Sequence, residues 1–422
     1  LATLMLAAGS LSAQPYENSS VVGQVPDRLL VIVKPGVSLT VDKSAGTPRV
    51  GLAAVDALAE RFAVHNMEPL FEGLTKGLDK ANRSNLDRVW AVDFDTSYDL
   101  NEVEAAYAAL PEVAEVQRVD ICKMYDAYLP DDPELGSQWY LRNMTLGGGD
   151  VRAVGAWGES LGDSNVVIAI LDSGVDWQHP DLGGPHPDKV NGAILTNWAE
   201  YYGEEGVDDD NNSKMDDIRG WDFVNISPSQ GAPDQDLRNA DNDPMDFGSH
   251  GTQCAGAAAG LTNNGIGIAG VAPGCKILPV RCGYTTVEGQ GVVRMDYAAS
   301  GMIYALGRGA NIINCSWGST SNLAFAVSAL QDAGVLIITA AGNDDTDSDS
   351  PLGGPSWLST APGVISVAAT GSSDGKAGFS NYGDWVEISA PGVAIHTTTY
   401  VASTGAHTYS AVQGTSFSSP IT

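Results

Sequence analysis

Residues 165–171, Asn-Val-Val-Ile-Ala-Ile-Leu, constrain this chain more than any other segment. Apolar residues follow one another with no polar alternation. A strand made from them has no face to give to water, so it belongs inside a parallel sheet covered on both sides. Val335-Leu336-Ile337-Ile338-Thr339 is a second run of this kind. The first run ends at Asp172-Ser173-Gly174-Val175-Asp176, and the second at Ala340-Ala341-Gly342-Asn343. In open parallel sheets, sites form beyond the carboxyl ends of the strands, which makes Asp172 a candidate functional residue.

Two later segments carry complementary chemistry. Gly248-Ser249-His250-Gly251-Thr252-Gln253-Cys254-Ala255-Gly256 places a histidine ahead of small residues that predict a tight, buried helix. The chain has six histidines, and no other stands between small residues at a helix start. Gly414-Thr415-Ser416-Phe417-Ser418-Ser419-Pro420 places a serine at a predicted helix start, with Pro420 expected in the first turn, where a missing N–H costs nothing. The positive end of the helix dipole and its free N–H groups would receive an oxyanion there. Neutral imidazole is suited to take a serine proton near neutral pH, so His250 is a candidate base for Ser416.

Asp-Ser-Gly after an apolar strand, His-Gly-Thr, and Gly-Thr-Ser before proline, in that order, resemble the subtilase family from about Asp132 to Thr422. The resemblance implies a doubly wound, mostly parallel α/β catalytic domain and a serine endopeptidase. Asp172 would orient the imidazole, His250 would act as base and then acid, and Ser416 would be the nucleophile. Asn343 would donate its side-chain amide to the oxyanion, together with the N–H of Ser416. Two neighbours depart from the family pattern: Phe417-Ser418 replaces the usual Met-Ala, and Gln253 the usual histidine. The family also continues beyond the nucleophile with a long apolar helix, so the sequence is expected to be a piece of a longer one.

The same resemblance suggests a substrate clamp. Gly289-Gln290-Gly291 and Ser316-Trp317-Gly318 would hold the substrate backbone as an added strand. Gly318 and Gly342 carry no side chain to block a primary pocket, which points to a large apolar residue before the scissile bond.

Calcium is the expected cofactor, in a structural role. Residues 208–217 read Asp-Asp-Asp-Asn-Asn-Ser-Lys-Met-Asp-Asp, with oxygen ligands at alternating positions; Asp208, Asp210, Asn212 and Asp216 are the candidates. A plain solvated acidic loop is the alternative. A second site is implied by resemblance alone: Asp181 and Asn264 would supply side chains, and Thr262, Ile266 and Ile268 carbonyls. Asp132 would reach in from the mature N-terminus.

Composition bears on partners and compartment. A net charge of −30 excludes binding to nucleic acid or an anionic membrane by charge. Residues 1–13 resemble the apolar core of a signal peptide followed by a small-residue cleavage site, too short to span a bilayer, and no later apolar run reaches membrane length. Secretion, extracellular or periplasmic, follows as the expectation. Five cysteines argue against a tidy disulfide framework. Cys275 and Cys282 flank an extended segment spanning ~23 Å, beyond a disulfide's reach.

Residues 27–121 read as a separate unit, strand–helix–strand–helix–strand, compatible with a small α+β ferredoxin-like sandwich. Its strands are expected at 29–33, 89–94 and 113–119, and its helices at 52–64 and 101–110, the latter capped by Asn101. Its position resembles that of the inhibitory propeptide of subtilases; an ordinary N-terminal binding module is the alternative. Residues 122–131 would be the linker and processing region, and 132–422 the catalytic domain. The reading is a secreted, monomeric, calcium-dependent endopeptidase acting on polypeptides, with its own propeptide as inhibitor. A subtilase-fold protein that binds peptides without cleaving them is one alternative, and a calcium-dependent surface module is another.

Overall fold

The computed structural model describes residues 21–42, 46–74, 86–122, 128–144, 148–347 and 356–422. The leader reading of residues 1–13 and the centre of the 122–131 linker lie outside them. The described residues fall into two compact units, one before and one after residue 125 in sequence.

The first unit runs β1 (Val21–Val33), α1 (Ala53–Arg61), β2 (Asn66–Pro69), β3 (Val89–Asp93), α2 (Leu100–Ala108) and β4 (Val113–Cys122). Its antiparallel sheet has the order β2-β3-β1-β4, which is the split βαβ arrangement of a ferredoxin-like sandwich. Leu29, Val31, Val92 and Trp90 pack with Phe62, Val103 and Tyr107 as its core. Some details differ from expectation: β1 begins at Val21, ahead of the expected strand at 29 and of the expected 27–121 unit, and β4 runs on to Cys122. Strand β2 is short and mostly half-buried, with no apolar run to announce it. Helix α2 is capped by Asp99 and not by Asn101: the Asp99 carboxylate accepts the amides of Asn101 and Glu102. An ionised side chain two residues earlier is the better acceptor at the positive helix end.

The second unit is built on seven parallel strands in the order β13-β12-β11-β10-β5-β7-β6. These are β5 (Val167–Asp172), β6 (Trp221–Asp222), β7 (Lys276–Arg281), β10 (Ile312–Cys315), β11 (Leu336–Ala340), β12 (Val364–Thr370) and β13 (Ile388–Pro391). Every residue of β5 is buried, as its unbroken apolar run requires. One face packs α3 (His250–Ala259) and α6 (Thr415–Ile421); the other packs α4 (Met295–Gly307) and α5 (Ala324–Asp332). The unit also contains two hairpins: β8–β9 (Gly283–Thr285 with Gly291–Val293) and β14–β15 (Ile395–Val401 with Ala406–Val412). Helix α3 lies against β14 so closely that a Cβ on Gly256 would sit 2.1 Å from the Thr398 hydroxyl. The Ala/Gly composition of α3 is what permits that approach.

Candidate active site

Strand β5 delivers Asp172 to the carboxyl edge of the sheet, and the chain turns sharply beyond it. Gly174 holds φ at +112°, where a Cβ would meet the Met245 carbonyl at 2.5 Å. Opposite it, a Cβ on Gly251 would lie 2.0 Å from the Gly174 carbonyl. These two glycines let the start of α3 close onto the end of β5. His250 Nδ1 then lies 2.8 and 3.0 Å from the two oxygens of Asp172. Asp172 is buried, whereas the imidazole keeps 37% of its side-chain surface in the cleft.

Burial of the imidazole opposes its protonation. The charge and hydrogen bond of Asp172, aided by the Asp246 carboxylate, outweigh that cost and raise the His250 pKa above its ordinary value. The ring of Phe417 stands 5.5 Å from that of His250, bringing the first turn of α6 beside the base.

Ser416 is the second residue of α6, so its amide belongs to the helix N–H groups that lack an i−4 carbonyl. Its Oγ donates to the Ser316 carbonyl at 3.2 Å. Pro420 lies inside α6, not at its first turn as the sequence suggested. A proline there withholds the N–H that would have bonded the Ser416 carbonyl. Two buried side chains take its place: Ser316 Oγ donates to that carbonyl at 2.7 Å and Cys254 Sγ at 3.4 Å. The position is possible because the residue after β10 and a residue of α3 both present small polar groups to the same point.

Asn343 follows β11. Its Oδ1 accepts the Thr415 amide at 2.8 Å and the Thr415 hydroxyl at 3.0 Å, which commits the oxygen end and leaves the Nδ2 hydrogens for another acceptor. Cys254, Cys282 and Cys315 are buried thiols, each pushed upward in pKa by burial and far from thiolate character at neutral pH.

A cleft of about 820 Å³ opens beside the Asp172–His250 pair; neither Ser416 nor Asn343 is among its lining residues. Asp172, His250, Gly289, Gly291, Ser316, Trp317 and Gly318 all line it. Gly342 lines an adjoining hollow of about 450 Å³ that shares Gly318. A side chain at Gly342 is barred by φ of +108° and by Asn381, whose Nδ2 would lie 2.3 Å from a Cβ. A third hollow, of about 440 Å³, shares Phe247, Gly248 and Thr285 with the main cleft and is walled by Thr399 and Tyr400 of β14. Nothing in the sequence reading pointed to that hairpin, whose alternation is weak.

The two acidic loops differ in what they assemble. Asp208 and Asp210 come together with Glu200, their ligand atoms within 4.8 Å of one another. Glu200 stands outside the Asp-rich stretch, which offered no signal for it. Asn212 Oδ1 is buried there without a hydrogen-bond partner. The Asp216 carboxylate instead accepts the Gly206 amide at 2.9 Å. In the 262–268 loop, buried Asp181 accepts Asn264 Nδ2 at 2.9 Å and the Ile268 amide at 2.9 Å. Buried Asp132 accepts the Thr262 hydroxyl at 2.7 Å and the Asn263 amide at 2.8 Å. Burial raises the Asp181 pKa, and the nearby Asp132 charge adds to it. The backbone of Ile266 belongs to the same loop, its amide held by Asn264 Oδ1 at 3.1 Å.

A parallel α/β sheet with an Asp–His pair at its carboxyl edge and a serine at a helix start has the parts of a serine hydrolase. The family model described as the subtilase family matches residues 163–422, and the chain belongs to that family. Thermitase of Thermoactinomyces vulgaris is 34% identical over 296 residues, covering 69% of this chain and 82% of that protein. An extracellular protease of Xanthomonas campestris pv. campestris is 28% identical over 437 residues, covering 100% of this chain and 68% of its own length. Among solved structures, a protease of Pseudoalteromonas arctica matches with a TM-score of 0.53 and 28% identity, covering 69% of this chain and 84% of that one.

Proposed function

We propose that this serine endopeptidase works through Asp172, His250 and Ser416, with Asn343 and the Ser416 amide receiving the oxyanion. The observation that carries the reading is the Asp172–His250 pair, which opens into the same cleft as Gly289, Gly291 and Gly318. The Ser416 hydroxyl turns from the Ser316 carbonyl to the imidazole and passes its proton to Nε2 as Oγ attacks the scissile carbonyl carbon. Asp172 steadies the imidazolium without taking its proton. His250 then protonates the leaving amine, and water hydrolyses the acyl-enzyme by the same steps in reverse roles. The substrate backbone lies between Gly289–Gly291 and Ser316–Gly318 as an added strand.

Calcium fits both acidic loops. An unpartnered buried Asn212 Oδ1 beside Glu200, Asp208 and Asp210 suits a hard cation, as do the buried carboxylates of Asp181 and Asp132. Glu200, Asp208, Asp210 and Asn212 would hold one ion, and Asp181 with the 262–268 loop another. Bound calcium neutralises clustered carboxylates and stiffens the loops.

Secretion is supported by relatives named as extracellular, and no helix among the described residues is long and apolar enough to cross a membrane. The ferredoxin-like unit would serve as the inhibitory propeptide. The test of the central reading is Ser416→Ala in the full chain. It should abolish peptide hydrolysis and labelling by a fluorophosphonate probe, and retained hydrolysis would overturn the assignment.

A further inference from the structure

We infer that Asp246 is a positioning residue for the reaction: its buried carboxylate ties the strand end that carries Asp172 to the helix start that carries His250. The inference rests on the triad reading above. Asp246 has none of its surface exposed. Its Oδ1 accepts the Ser173 hydroxyl at 2.9 Å and the amides of Gly248 and Ser249, each at 2.8 Å. Its Oδ2 accepts the Thr252 amide at 2.9 Å and the Thr252 hydroxyl at 2.6 Å.

Both hydroxyls are committed as donors to Asp246. Ser173 Oγ already accepts the Gly251 amide at 3.0 Å, and Thr252 Oγ1 accepts the Asp176 amide at 2.9 Å. Five donors therefore converge on one side chain, and a carboxylate, which is acceptor-only, matches them all. Burial pushes the Asp246 pKa up, and the Thr252 hydroxyl leads the hydrogen bonds that oppose the rise.

The residues held are Ser173, next to Asp172, and Ser249, Gly251 and Thr252, which surround His250. Ser249 adopts a left-handed backbone with φ of +67°, a conformation non-glycine residues rarely keep without support. Asp246 supplies that support through the Ser249 amide, and so sets the direction in which α3 starts. A displacement of about 1 Å in a catalytic pair can cost ~10² in rate, so a fixed anchor matters here.

Asp246 also acts through charge. It helps raise the His250 pKa, behind the larger contribution of Asp172. The other titratable groups around this carboxylate and the imidazole are Asp176, Cys254 and Tyr400.

The experiment compares wild type, Asp246→Asn, Ser173→Ala and the double variant in the full chain. Each is corrected for its folded fraction by circular dichroism. An asparagine must turn an amide group toward at least one set of these donors. Asp246→Asn should lower kcat tenfold or more with KM within twofold. It should also move the acid limb of kcat/KM to lower pH, because a negative charge near His250 is gone. Ser173→Ala should lower kcat, and its loss should not add to that of Asp246→Asn. Should the Asn variant prove too unstable, Ser173→Ala alone decides: unchanged kcat overturns the proposal. An unmoved acid limb in folded Asp246→Asn, or losses that match the unfolded fraction, overturns it too. Wild type and Ser416→Ala run in the same assay, so failure of the triad reading appears there separately.

Discussion

Asn343 and Thr415 are joined twice: one side-chain oxygen of Asn343 accepts both the amide and the hydroxyl of Thr415, at 2.8 and 3.0 Å. The residue proposed to receive the oxyanion is thus locked to the residue before the proposed nucleophile. Preorganised donors of this kind require no reorientation as charge develops. Asn343→Ala should lower kcat by ~10²-fold or more with KM little changed, a magnitude measured in subtilisin. Thr415→Val, which removes one of the two tethers, should lower kcat less. Steady-state kinetics on a peptide substrate decides; a loss confined to KM would assign Asn343 to ground-state binding.

The raised His250 pKa has a definite sign in activity and in stability. Burial lowers it, while the Asp172 charge and hydrogen bond raise it by more. The acid limb of kcat/KM should therefore lie above the ordinary histidine value of about 6.5. A pKa raised on folding contributes stability that is fully present below about pH 6.5 and lost as pH rises through the folded value. Asp172→Asn should shift the limb down and reduce kcat by ~10⁴. A limb at the same pH in that variant would remove Asp172 as the cause.

Chelation should destabilise the enzyme. An ion bound only by the folded state adds ~2.7 kcal/mol when present at 100 times its dissociation constant. Excess chelator should lower Tm and speed self-digestion. Asp208→Asn with Asp210→Asn should remove part of the response, and Asp181→Asn the remainder. Melting curves that coincide in calcium and in chelator would dismiss both sites.

Ser316→Ala should expose the consequence of Pro420. The Ser416 carbonyl, already without its helical donor, would keep only the thiol of Cys254. A buried acceptor deprived of its main donor costs about 1–3 kcal/mol. The urea midpoint should fall accordingly, and kcat should fall with it because α6 carries Ser416. An unchanged midpoint would show that the carbonyl is satisfied another way.

Arg281 and Asp222 make a different test. The pair is fully buried, forms a salt bridge and stacks the guanidinium 4.8 Å over Phe247, a cleft-lining residue. Burial lifts the Asp222 pKa to about 7 even against the Arg281 charge. Arg281→Met strands that carboxylate and should cost about 3–5 kcal/mol. The double change Arg281→Met with Asp222→Leu should recover most of it, measured by denaturant unfolding.

Much of this protein was legible without coordinates. Unbroken apolar runs such as 165–171 admit few placements other than an inner parallel strand, because water must be kept from both faces. Each run also sets which residue leaves the sheet at its end, so Asp172 and Asn343 could be named as edge residues. His250 and Ser416 were marked by small neighbours at helix starts, a local signal. The tertiary structure alone decided what meets what. Asp246, four residues before His250, could at most have been read as a helix cap; only the closure of β5 on α3 gives its second oxygen and Ser173 a shared purpose. Glu200 reaches Asp208 and Asp210 from outside the acidic run, and β14 becomes a cleft wall by packing on α3. Pro420 could sit inside α6 because Ser316, a hundred residues earlier in the chain, supplies the missing hydrogen bond. Local periodicity specifies strands and helix starts, whereas these contacts depend on sheet order and register, which no short stretch of sequence contains.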